Sequence, residues 1–113
     1  IKQKQRDMAM SRMIQQVPTA DVVIRNPTHF AVAIKYDTEK SSAPIVVAKG
    51  QEQVALKIIE IATEHGVHVL ENRPLARALF ETVEISGEIP AEFYGPVAEI
   101  LAFVYSLKEK DEK

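Results

Sequence analysis

The most distinctive chemistry in the chain lies in four consecutive residues, Asn26, Pro27, Thr28 and His29. In most Asn-X pairs the backbone nitrogen of X attacks the Asn side chain, and the amide is lost. Proline has no backbone N–H, so that route is closed at Asn26. The reverse attack stays open. The side-chain amide nitrogen of Asn26 can reach its own main-chain carbonyl carbon. A five-membered succinimide then forms, the peptide bond to Pro27 breaks, and Pro27 leaves as a secondary amine. The reaction is intramolecular, so correct geometry replaces much of the entropic barrier. A tight turn that strains the peptide would help further. An amide nitrogen is a poor nucleophile and needs a proton acceptor, while the leaving amine needs a proton. An imidazole exchanges protons at neutral pH, so His29 can serve both needs. Thr28 can hold the turn through its hydroxyl. His29 can equally do no more than orient the loop, and the two roles stay open here. Asn-Pro is also a common turn dipeptide, so an inert turn is the competing reading.

Other chemistry is hard to find. His65 and His68 are three apart, but Gly66 between them should end any helix that pairs them. No third ligand stands at metal spacing. Val47-Ala48-Lys49-Gly50 before a helix has one glycine and no Gly-Lys-Ser/Thr, so it is not a phosphate loop. The carboxylates Glu81, Glu84, Glu88, Glu92 and Glu99 are spaced as solvated faces. No serine triad or glycine elbow can be picked out. No cofactor is expected.

The elements that must position the turn follow from periodicity. Residues 1–16 hold Lys2, Lys4, Arg6 and Arg12 against Asp7 and read as a basic, weakly amphipathic helix that stops before Pro18. It is either a solvated arm docked by its methionines or a linker lying near an anionic membrane surface. Residues 21–25 are a short β-branched strand broken by Asn26-Pro27. Residues 30–36 form a second strand, 37–43 a polar loop, and 44–49 a third strand ended by Gly50. Over 51–65 the period changes to 3.6, with Val54, Ile58, Ile61, Ala62 and His65 on one face. His65 would sit at the helix C-terminus as a dipole partner, and Gly66 suits the C′ position. Residues 67–71 are a fourth strand. Pro74 opens a short helix at its first position, carrying Leu75, Ala76, Leu79, Phe80 and Val83. Ser86-Gly87 is a break, Pro90 opens a last helix to about Lys108, and 110–113 is a charged tail.

Strands alternating with helices, and strands that are almost continuously apolar, predict an α/β fold with both sheet faces covered. The expectation is a small, mostly four-stranded sheet with about four helices, preceded by the basic N-terminal helix. Residues 1–17 would be a linker helix and 18–113 a single domain.

The whole chain sets outer bounds. Its 113 residues allow one domain and exclude two substantial ones. With 46% hydrophobic and 27% charged residues it has the composition of a soluble globular domain. A formal charge of −2 argues against nucleic acid as a partner. No apolar run is long enough for a bilayer span. The absence of cysteine excludes disulfides and thiolate chemistry and fits a reducing compartment. The chain opens at Ile1 rather than Met, which suggests a fragment or a processed product.

Three motifs then stand in order: Asn-Pro-Thr-His-Phe-Ala-Val-Ala-Ile-Lys-Tyr-Asp at 26–37, Ala-Pro-Ile-Val-Val-Ala-Lys-Gly at 43–50, and Glu-Asn-Arg-Pro-Leu-Ala-Arg-Ala-Leu at 71–79. With them the chain resembles the cytoplasmic domain of the flagellar FlhB family, whose relatives are the YscU-like switch proteins of virulence type III secretion. The resemblance covers nearly the whole chain. Ile89-Pro90 and the apolar last helix favour the flagellar branch over the virulence branch. It implies a domain hung from an inner-membrane half, at the cytoplasmic mouth of an export channel. It implies self-cleavage between Asn26 and Pro27, with Thr28 and His29 completing the site. It also implies a switch of export from rod-and-hook proteins to filament proteins, timed by a hook-length ruler protein. The implied partners are export-apparatus membrane components, export substrates and that ruler.

Cleavage would give pieces 1–26 and 27–113, expected to stay together because Val22, Val23 and Ile24 belong to the sheet. In the last helix Val97, Ile100, Val104 and Leu107 would form one core stripe, and Ala98, Leu101 and Tyr105 a second. Two stripes mean either a helix buried from two sides or an exposed apolar patch that docks export substrates. Ala43 and Pro44 would extend such a patch. Two competing readings remain: a plain interaction module with an inert turn, and a small metabolic enzyme.

Overall fold

The computed structural model describes residues 2–111, and their side chains over 8–109. The side chains of Lys2, Lys4, Arg6 and Asp7, on which the basic character of the first helix mostly rests, lie outside the described residues, as does most of the tail at 110–113. Helix α1 spans Lys2–Gln16 and passes into a 3-10 turn, Val17–Thr19. Pro18 cannot continue the helical ladder, and Thr19 Oγ1 donates to the Gln16 carbonyl at 2.7 Å instead. The helix is not docked by all its methionines. Met13 is buried beside Val17, whereas Met8 and Met10 are exposed.

Strands β1 (Val22–Asn26), β2 (Phe30–Lys35) and β3 (Ile45–Gln51) are followed by α2 (Gln53–Glu64), β4 (His68–Glu71), α3 (Arg73–Thr82) and, after a 3-10 turn at Ala91–Phe93, α4 (Tyr94–Asp111). The sheet order is β3-β2-β1-β4. β1 pairs antiparallel with β2 and parallel with β4, and β2 pairs antiparallel with β3. β3 and β4 are therefore the two edges and run in the same direction. Helix α2 must cross a whole face of the sheet to join them, and so becomes the cover of that face.

Strand alternation sorts the side chains into two cores. Val22, Ile24, Val32, Ile34 and Val46 face α3 and α4, meeting Leu75, Leu79, Val97, Leu101 and Val104. Val23, Ala31, Ala33, Val47 and Ala48 face α1 and α2, meeting Met13, Val17, Ala55, Ile58 and Ala62. Both Val47 and Ala48 reach the same face because the β2–β3 register shifts at Ala33/Ile34, the signature of a bulge. The four-stranded α/β sheet covered on both sides agrees with the expected fold.

Several boundaries differ, each for a local reason. β1 does not stop at Arg25; Asn26 still pairs with Phe30. Gly50 does not end β3 but pairs with Ala31 inside it. A Cβ there would overlap the side chain of Val54, so the glycine admits the first turn of α2. The α2 buried stripe is Ala55, Ile58 and Ala62, while His65 is exposed. The His65 ring nitrogen Nδ1 lies 2.9 Å from the Ile61 carbonyl, and Gly66 follows at φ +73°. In α3 the cap is Asn72, whose side chain accepts from the Leu75 N–H at 3.2 Å. That makes Arg73 the first helical residue and Pro74 the second. Pro90 precedes the 3-10 turn rather than α4 itself. The core stripe of α4 is Val97, Leu101 and Val104, with Ile100 only partly buried.

Candidate functional site

Asn26 ends β1 and Phe30 begins β2, and the two are register partners. Only three residues, Pro27, Thr28 and His29, close the hairpin. The His29 N–H donates to the Asn26 carbonyl at 2.9 Å, an i to i+3 bond that makes 26–29 a β-turn. Pro27 occupies its second position, where a locked φ fits. The carbonyl that accepts this bond belongs to the Asn26–Pro27 peptide. A donor aimed at a carbonyl oxygen polarises it and stabilises the negative charge that builds there under attack.

Left-handed backbone is absent from the turn; among the described residues it occurs at Glu52 (φ 53°), Ser86 (φ 70°) and Gly66. Thr28 is exposed. Among the described residues its hydroxyl has no hydrogen-bond partner, and the backbone of His29 closes the turn instead.

The turn is gripped on both sides. Upstream, the Arg25 carbonyl accepts from the Asn72 N–H at 3.0 Å, which ties β1 to the cap of α3. Downstream, the Phe30 ring packs on Phe80 with centroids 5.0 Å apart. Lys49 donates from Nζ to the Phe80 carbonyl at 2.8 Å and stands 5.1 Å from that ring. Third, Glu52 meets His29 twice: its N–H donates to the His29 carbonyl at 2.9 Å, and its Oε1 lies 3.0 Å from His29 Nδ1. Nothing in the linear sequence pairs residues 23 apart. Glu52 was therefore invisible to periodicity, and only the fold brings the β3–α2 junction over the hairpin tip.

A second group of expected residues is also brought together. Ala43, Pro44, Ala98 and Leu101 line one apolar cleft of about 350 Å³, with Tyr36, Ser42, Tyr94, Ala102 and Tyr105 around it. Ala43 and Leu101 are buried in its floor at 1% and 4% exposure, so Leu101 belongs to the core stripe as well. Burial raises the Tyr105 phenol above its ordinary pKa, and Asp21 and Tyr36 add to the effect. The Asp21 carboxylate in turn accepts from the Tyr36 N–H at 2.7 Å. Asp21 and Tyr36 lie at the open end of the β1–β2 hairpin, and the Asn-Pro turn at its closed end. Six residues of strand separate them, roughly 20 Å. The described residues contain no group of three or more potential metal ligands. No helix among them is long and apolar enough to cross a membrane.

The same architecture recurs in known proteins. The cytoplasmic domain of FlhB from Shewanella putrefaciens superposes with a TM-score of 0.87 at 42% identity, over 91% of this chain and 79% of that one. A mutated C-terminal domain of EscU superposes with a TM-score of 0.79 at 28% identity, over 81% of this chain and 92% of that one. By fold the chain is thus a small α/β domain of the kind found in these two solved structures. Flagellar biosynthetic protein FlhB of Bacillus subtilis is 61% identical over 110 residues, 97% of this chain and 31% of that protein. Its Salmonella typhimurium counterpart is 54% identical over 108 residues, 96% of this chain and 28% of that protein. The FlhB HrpN YscU SpaS family model matches residues 1–104, and the chain belongs to that family. It spans less than a third of the length of these two relatives.

Proposed function

We propose that the chain is the cytoplasmic part of a flagellar type III export component, that it cuts its own Asn26–Pro27 bond, and that the cut switches export from rod-and-hook to filament substrates. Family membership supports the export role, and the FlhB names of relatives at 61% and 54% identity favour the flagellar branch. The observation that carries the cleavage is the β-turn in which the His29 N–H holds the Asn26 carbonyl at 2.9 Å, with proline as the following residue.

The mechanism follows from that turn. Asn26 Nδ2 attacks the Asn26 carbonyl carbon, and the turn bond from His29 takes up charge on the oxygen. One proton leaves Nδ2 and one arrives on the Pro27 nitrogen, with the His29 imidazole as the carrier. The C–N bond to Pro27 breaks and the succinimide ring closes. Water later opens the ring, either to a C-terminal Asn or to its isomer with the amide on the main-chain carbonyl and a free side-chain carboxyl. Thr28 contributes as the third residue of the turn. Because strands fix both ends of the turn, little conformational freedom remains to be lost on the way to attack.

In this reading residues 1–17 are a linker near the anionic cytoplasmic face of the inner membrane, and 18–113 are the self-cleaving domain. The domain sits at the mouth of the export channel. It works with membrane components of the apparatus, with export substrates and with a hook-length ruler protein. Substrates dock in the cleft of Ala43, Pro44, Ala98 and Leu101, whose apolar lining supports that use. Mass spectrometry of the purified chain tests the cut. Wild type should give two pieces, the larger beginning at Pro27, and Asn26→Ala should give one intact chain and fail to switch export to late substrates. Cleavage in Asn26→Ala would refute the succinimide route.

A further inference from the structure

Glu52 is the least expected residue at the turn. Its backbone sits at φ 53° and ψ −120°, a region that glycine enters freely and side-chain-bearing residues rarely. A glutamate held there costs stability, of the kind that proteins tolerate where a function depends on it. The strained residue is also the one that grips His29, with its N–H on the His29 carbonyl at 2.9 Å and its Oε1 at 3.0 Å from Nδ1. The backbone bond fixes the loop, and the carboxylate addresses the ring. The strain and the two contacts therefore converge on one residue, His29.

The geometry points to Glu52 as the positioning residue for proton transfer by His29. This inference rests on the cleavage reading above. A neutral imidazole carries its proton on either nitrogen. A carboxylate oxygen can only accept, so at 3.0 Å it holds the proton on Nδ1. Nε2 is then left with its lone pair and is the atom that takes a proton from Asn26 Nδ2 and returns one to the Pro27 nitrogen. No proton is gained or lost overall: the Asn26 amide gives up one, the Pro27 amine gains one, one C–N bond forms and one breaks. Glu52 touches neither reacting atom in this scheme. It acts by holding the ring in one tautomer and one orientation, as second-layer carboxylates do for other histidines.

Glu52→Gly separates this role from folding, because glycine removes the carboxylate and relieves the φ of 53° together. The backbone N–H on His29 is kept. Freshly synthesised full-length chain is followed by gel for the appearance of the two pieces. Glu52→Gly should fold and cut roughly fivefold more slowly, the factor a single hydrogen bond can supply. Glu52→Gln keeps a neutral acceptor and should fall between. Nitrogen NMR of the imidazole, in the uncut Asn26→Ala chain, gives a readout separate from cleavage. The His29 proton should reside on Nδ1 with Glu52 present and spread over both nitrogens with Glu52→Gly. An unchanged tautomer, or Glu52→Gly cutting at the wild-type rate, overturns the inference while leaving self-cleavage intact. A wild-type chain that stays whole overturns the cleavage reading itself, and the role of Glu52 with it.

Discussion

At the scale of single residues, the Asn-Pro-Thr-His turn was legible because its chemistry depends on one missing hydrogen. Proline blocks the usual attack on Asn26 wherever it stands, so the alternative could be drawn without coordinates. The sequence could not say that His29 contributes its backbone N–H to the Asn26 carbonyl, because hydrogen-bond closure is a property of the turn and not of a residue type. Nor could it say that Thr28 would face solvent. Tyr105 offers a test of a different kind. Burial, then Asp21 and Tyr36, raise its phenol above the 10.0 of an exposed tyrosine. The folded state thus holds the proton more tightly than the unfolded state. The associated stability is fully present below about pH 10 and is lost as pH rises from there through the folded value. Denaturant unfolding between about pH 8.5 and 11 should show that decline in wild type. Tyr105→Phe should show a smaller one, and identical slopes for the two would contradict the assignment.

At the scale of elements, α4 shows what sequence periodicity resolves and what it leaves open. Two apolar stripes on one helix told that something beyond a single core contact was being met. Which residue belonged to which stripe was decided by packing. Leu101 fell into the core with Val97 and Val104, and Ile100 moved to its margin. The choice matters for experiment. A polar residue at Leu101, 4% exposed, would damage the fold along with any docking surface. Ala98 lines the same cleft from an exposed position. Ala98→Asp should leave the melting temperature within a degree or two, as surface changes usually do, and should weaken export-substrate binding at least tenfold in a pull-down titration. Unchanged binding would remove the cleft from the proposal. Strand ends escape periodicity for a related reason: Gly50 looks like a stop in one dimension and is a clearance for Val54 in three. Helix starts slipped by a residue or two where a cap such as Asn72 set the first turn.

At the scale of the whole molecule, the position of β1 decides what a cut can do. Val22, Val23 and Ile24 are fully buried, and burying side chains of this size contributes roughly 1.5–3 kcal/mol each. β1 also bonds to a neighbour on each side. Cleaved protein should therefore elute from a native sizing column as one species and split into two bands only under denaturing conditions. Separate native peaks would show that the sheet does not hold the pieces. The order β3-β2-β1-β4 carries a further consequence. Once severed, the small piece owns an inner slat of the sheet rather than a border. Its departure would open a slot between β2 and β4 and bare two unsatisfied rows of main-chain amides and carbonyls at once. Such rows invite any passing extended segment to insert. Residues 27–113 made alone would thus be a receptor for a stray strand, with the native 1–26 segment as the plug that keeps that slot filled.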